Sequence, residues 1–186
     1  MNIRNSPLSY AQNLDIRDID AIDLAVIHCT ELPDLATARE YGEKIHYPGS
    51  TTGNSGHYYI DRDGSVHCWV PLERIAHHAG NYNARSVGIE LVNRGRWPDW
   101  FNSNTQIMTE PYPAAQVESL LGLLSDLRIH LRILRWITGH EDLDQSRIAA
   151  SDAPGKLVKR KLDPGPEFPW PEVLSSSGLG RLEVHE

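Results

Sequence analysis

Hydrophobic residues recur along this chain in two rhythms, and the rhythms separate helices from strands. From Ala114 to Leu134, the residues Val117, Leu120, Leu121, Leu124, Leu127, Leu131 and Leu134 fall three or four positions apart. That spacing gathers side chains on one helix face and predicts a long amphipathic helix packed on a sheet. Elsewhere the apolar runs are short and rich in β-branched residues. Residues 22–29, IDLAVIHC, read as a buried central strand with His28 near its C-terminal end. Residues 57–70, HYYIDRDGSVHCWV, read as two strands around an Asp-Arg-Asp-Gly turn. In residues 86–93, SVGIELVN, strand alternation turns Glu90 away from Ile89 and Leu91. Arg135–Thr138 returns to the sheet and ends at Gly139-His140, while Asp34 caps a helix running to Ile45. Residues 46–56, dense in glycine, serine and threonine, form a loop able to border a cleft. This order predicts an α/β fold: a single domain with a central mixed β-sheet flanked by α-helices.

The ends of the chain lack such rhythm. Residues 1–20 read as an N-terminal arm, extended over the domain or partly disordered, residues 21–174 as the domain, and residues 175–186 as a flexible C-terminal tail. The 186 residues suffice for a sizeable core. Acidic residues outnumber basic ones, 25 to 18, for a net charge of −7. That balance argues against a nucleic-acid partner and against a polybasic membrane anchor. No run approaches the ~20 apolar residues of a membrane helix, and the first residues lack the apolar core of a secretory signal, so a cytoplasmic location is expected. Two cysteines, Cys29 and Cys68, exclude a disulfide scaffold and fit a reducing compartment.

Chemistry enters through position. His28 and His140 close two different strands, and Asp163 lies in a proline-stiffened turn. Two imidazoles and a carboxylate suit Zn²⁺ and leave a fourth position for water or substrate. Unrelated polar residues at strand ends have the same spacing. Taken alone, Glu90 reads as the solvent-facing member of an alternating strand and Lys161 as solvated surface charge.

The segments around these residues decide between the readings. VIHCTELP, SGHYYIDRDGSV, AHHAG, SVGIELVN, ITGHEDLD and KLDPGPEFPW occur in this order across residues 22–174. Together they resemble the zinc-dependent N-acetylmuramoyl-L-alanine amidases, a family that includes phage amidase endolysins and peptidoglycan recognition proteins. The resemblance implies a zinc held in a groove along the sheet by His28, His140 and Asp163. It implies Glu90 as catalytic carboxylate and Lys161 as the lysine that stabilises the oxyanion. The reaction implied is hydrolysis of the amide joining the lactyl group of muramic acid to L-alanine, with a muropeptide or peptidoglycan fragment as substrate. His78, in AHHAG, falls at the groove as a substrate contact, and His57 reads as structural. The five tryptophans, Trp69, Trp97, Trp100, Trp136 and Trp170, suit sugar stacking or core packing equally.

Three departures qualify the resemblance. Residues 141–162 form an insertion between the second and third ligands. Cys29 follows a ligand directly, but strand alternation turns it away. Asp163 stands where phage relatives carry cysteine, which favours the AmpD-like branch and the 1,6-anhydro muropeptides of cell-wall recycling. A phage-type or exported hydrolase of intact wall, and a catalytically silent peptidoglycan-binding module, are the alternatives.

Overall fold

Strand β2 (Leu24–Cys29) is buried at every one of its six positions, because it lies inside the sheet with covered faces on both sides. In the computed structural model, which describes residues 1–182, β2 pairs in parallel with β5 (Ser86–Leu91) on one side and β6 (Trp136–Gly139) on the other. The sheet continues through β3 (Tyr58–Ile60), parallel to β5, and then β4 (Val66–Cys68), antiparallel to β3. β1 (Ile3–Asn5) closes one edge and β9 (Gly180–Arg181) the other, giving the order β1-β4-β3-β5-β2-β6-β9. The β3–β4 hairpin is the one antiparallel pair in this seven-stranded sheet, so the sheet is mixed, as its alternating segments predict.

Side-chain alternation divides β2 between two environments. Ala25 and Ile27, with Val87, Ile89 and Leu91 of β5, join the main core beneath helix α2 (Ala114–His130). Leu24 and Val26 point the other way, into a small cluster with Ala79. Helix α2 contributes Val117, Leu120, Leu123, Leu124 and Leu127 to the core. The buried stripe departs from the predicted one in that Gln116 and Leu123 are fully buried and Leu121 only partly. The helix also stops at His130, where Leu131 leaves helical geometry at φ −103° and ψ 95°. Leu131 and Leu134 remain buried in the turn that sends the chain back into β6. Helix α1 (Leu35–Glu43) begins at Asp34, whose side chain accepts from the Thr37 N–H at 2.7 Å, the N-cap anticipated from the sequence.

Both chain ends are more ordered than their composition suggests. The N-terminal arm supplies β1, and Leu8, Tyr10, Ala11 and Leu14 pack with Trp69 in a second core cluster. Arg17 pins the arm by donating to the carbonyls of Leu72, Asn83 and Ser86. At the other end, α4 (Trp170–Ser177) runs past residue 174 and ends at Gly178, whose φ of +65° forms a left-handed cap. Leu179 is buried in the main core and β9 pairs with β6. The flexible tail expected from residue 175 is therefore corrected over 175–182. Backbone pairing needs no apolar side chains, so a Ser/Gly-rich segment can complete a sheet. Residues 183–186, with His185, lie outside the described residues. The segment 141–162 is likewise built rather than irregular: α3 (His140–Leu143) leads into a hairpin of β7 (Arg147–Ala149) and β8 (Leu157–Lys159). Among the described residues, no helix is long and apolar enough to cross a membrane.

The order at the C-terminus is testable. Leu179→Ala should lower the free energy of unfolding by roughly 2–5 kcal/mol, as burial of leucine in a packed core predicts. Denaturant titration measures it, and an unchanged midpoint would return the segment to the status of a loose tail.

Candidate functional site

Three strand ends deliver the site. In the parallel register His28 of β2 lies beside Glu90 of β5, and Glu90 lies beside Tyr59 of β3. On the other flank Ile27 pairs with Gly139, so the next residue of β6, His140, opens α3 at the same sheet edge. The Asp163 segment closes over this edge: its carbonyl accepts from the Glu141 N–H at 2.9 Å. Gly139 permits the approach, since a Cβ there would stand 2.7 Å from Pro164 Cδ.

The carboxylate of Asp163 meets both imidazoles. Its Oδ2 lies 3.0 Å from His28 Nδ1 and 3.1 Å from His140 Nδ1. All three residues are buried, and one donor atom from each lies within 4.8 Å of the other two. Asp163 Oδ1 is buried with no hydrogen-bond partner, which a native interior rarely tolerates without an ion or water to satisfy it. The donor set of two nitrogens and a carboxylate oxygen suits a divalent transition metal such as zinc. Burial pushes the His28 imidazole down to about 4 despite its Asp163 partner, so it is a neutral donor at neutral pH. Burial opposes the charge on Asp163, but His140, Lys161 and the close approach of the two imidazoles outweigh it and hold the carboxyl well below the usual range.

Glu90 faces this group, with Oε1 4.0 Å from His28 Nδ1. Burial first, and then the Asp163 charge, raise its carboxyl to about 8, while Lys161 pulls it down. All five residues, His28, Glu90, His140, Lys161 and Asp163, line one cleft of about 750 Å³. The expected constellation is therefore one cluster in space.

The other expected residues divide. His57 is fully buried, and its Nδ1 accepts from the Gly88 N–H at 3.0 Å. His78 lies at the cleft, but its Nδ1 is 3.0 Å from His28 Nε2 and its Nε2 is 3.2 Å from Ser86 Oγ. Both ring nitrogens have partners within the protein, so a hydrogen bond to substrate from either would displace one of them. Cys29 Sγ donates to the Asn93 carbonyl at 3.4 Å, and burial raises its thiol well above the usual range, so it is no thiolate competitor. Trp69 is core, stacked on Tyr59, whereas Trp100 lines the cleft.

One feature of the wall has no sequence signal. Glu31, at φ +50°, is gripped by Arg96 through bonds of 2.6 and 2.8 Å to its two carboxylate oxygens. Arg96 also donates to the carbonyls of Lys159 and Arg160, tying the β7–β8 hairpin to the cleft. The partners are 65 residues apart in the chain, so only folding reveals the pair.

Residues 18–166 match the family described as N-acetylmuramoyl-L-alanine amidase (Amidase_2). The chain is 32% identical over 143 residues to N-acetylmuramoyl-L-alanine amidase AmiD of Escherichia coli (strain K12), covering 68% of this chain and 45% of that protein. It is 35% identical over 120 residues to 1,6-anhydro-N-acetylmuramyl-L-alanine amidase AmpD of Enterobacter cloacae, covering 60% and 50%. The chain thus spans about half the length of these curated relatives. It is similar in fold to the solved complex of AmiD from E. coli with the substrate anhydro-N-acetylmuramic acid-L-Ala-D-gamma-Glu-L-Lys. That likeness has a TM-score of 0.61 at 24% identity, covering 86% of this chain and 58% of the other.

The raised Glu90 carboxyl has a stability signature. Between its ordinary value of 4.5 and about 8 the folded protein keeps a proton that the unfolded chain has lost. Stability from this group is therefore full below the lower value and is lost as pH rises through the upper one. In chelator-treated protein, Glu90→Gln should raise Tm more at about pH 8.5 than at about pH 5. An equal effect at both would mean that Glu90 ionises normally.

Proposed function

The chain belongs to the N-acetylmuramoyl-L-alanine amidase family, and from that membership we propose that it is a zinc amidohydrolase of muropeptide recycling. The bond cleaved is the amide between the lactyl group of N-acetylmuramic acid, in its 1,6-anhydro form, and the L-alanine of the stem peptide. The observation that carries this reading is the convergence of His28, His140 and Asp163, with Asp163 Oδ1 unpartnered, beside a partly buried glutamate in an open cleft.

In this reading His28 Nδ1, His140 Nδ1 and Asp163 hold the zinc. When bound, zinc supplies a water of lowered pKa, near ~7, and polarises the scissile carbonyl. Glu90 takes the proton of the attacking water on its carboxylate and delivers it to the leaving nitrogen of alanine as the C–N bond breaks. Lys161 presents positive charge to the oxyanion that develops on the carbonyl oxygen. The products are the lactyl carboxylate and the free amino group of the peptide.

The anhydro sugar is supported by the printed activity of the E. cloacae relative and by Asp163 standing where phage relatives carry cysteine. Two free, buried cysteines and a net charge of −7 suit work on soluble fragments in a reducing cytoplasm.

Glu90→Ala should leave zinc stoichiometry intact while lowering turnover by about 10²–10⁴-fold. Zinc quantification beside mass spectrometry of a defined anhydromuropeptide measures both, and wild-type turnover would remove Glu90 from the proton transfers. Asp163→Ala should lower zinc content in the same assay, and undiminished zinc would reject it as a ligand. Supplied separately with soluble anhydromuropeptide and insoluble sacculi, the enzyme should release peptide from the former. Release from sacculi alone would make it a wall hydrolase.

A further inference from the structure

We propose that His78 and Ser86 are positioning residues that set the tautomer of His28, so that its Nδ1 faces the metal position as a bare lone pair. This inference rests on the metal reading of His28, His140 and Asp163.

One chain of hydrogen bonds fixes where each proton lies. Ser86 Oγ is 2.7 Å from the Tyr82 carbonyl oxygen, and the single hydroxyl proton is donated there. Toward His78 Nε2, 3.2 Å away, the hydroxyl oxygen accepts, so that nitrogen carries the ring proton. A neutral imidazole has one N–H, which leaves His78 Nδ1 an acceptor. Its partner at 3.0 Å, His28 Nε2, must then be the donor. His28 has spent its proton on the side away from the cleft, and its Nδ1 is bare. That lone pair points at Asp163 Oδ2, 3.0 Å away, an oxygen that His140 Nδ1 also approaches. Electron pairs converging in this way are reconciled by a cation shared among them.

The surroundings hold the relay in place. Asn83 Oδ1 accepts from the backbone N–H groups of both His78 and Ala79, at 3.1 and 2.7 Å, which fixes the loop carrying the ring. Gly88 of β5 makes room for it, because a Cβ there would stand 2.7 Å from His78 Cγ and Nδ1. Gly88 lies two residues before Glu90, so the strand that presents the carboxylate also gives up a side chain to seat the imidazole.

Outer partners of metal-bound histidines typically contribute about 10–100-fold in metal affinity. Zinc affinity, measured by competition with a chromophoric chelator, should fall by about that factor in His78→Leu. In His78→Asn it should largely recover, because the amide oxygen can accept the His28 Nε2 proton. Equal loss in both variants would reduce His78 to a space-filling role, and unchanged affinity in His78→Leu would remove it from the relay. Either result overturns the proposal while leaving the metal reading intact, whereas a wild-type protein that takes up no zinc overturns both. A second measurement does not depend on the variants folding. ¹⁵N–¹H correlation spectra of the histidine rings in metal-free wild-type protein should show His28 protonated at Nε2 and His78 also protonated at Nε2. A proton on His28 Nδ1 would overturn the proposal.

Discussion

A carboxylate buried as deeply as that of Asp163 costs several kcal/mol to desolvate unless opposite charge or hydrogen bonds reach it. Much of the site can be understood as the means of reaching it. His28 and His140 approach one oxygen from two distant chain segments, and the other oxygen is buried without a hydrogen-bond partner. Lys161, two residues earlier, lowers the same carboxyl. Burial and then the Asp163 charge raise the Glu90 carboxyl against the pull of Lys161, so two carboxyl groups in one cleft are shifted in opposite directions.

The sheet makes this arrangement possible. Parallel pairing of β2 with β5 and β6 lets three chain segments, distant in sequence, end at one edge with their side chains in register. Because alternate residues of a strand face opposite sides, one register serves two purposes: Ala25 and Ile27 anchor the core under α2 while His28 faces the cleft. A slip of one residue would exchange His28 for Cys29. The core is thus the foundation of the site's geometry.

Local pattern was enough to reveal much of this. β2, β5, the β3–β4 hairpin, α1 with its Asp34 cap, and α2 all follow from hydrophobic period and turn chemistry that neighbouring residues carry. The candidate residues were found through motifs, each a short string with its own chemical meaning. What stayed hidden depended on partners remote in the chain. β1 and β9 are short strands of weak pattern held by backbone pairing to segments far away, and the equally short β7–β8 hairpin is tied to the cleft wall by Arg96. The Arg96–Glu31 pair joins a loop to a strand end across 65 residues.

His78 is the sharpest case. Its motif marked it as belonging to the site, but the ring's task depends on which atom meets each nitrogen, and no string of letters carries that. By itself the sequence determined the alternation, the helix period and the identity of the donors, because those are properties of neighbouring residues. Tertiary structure alone decided that two imidazoles share one carboxylate oxygen and that a third stands behind the first. Those relations are distances across strands, and chain order does not set a distance until the chain has folded.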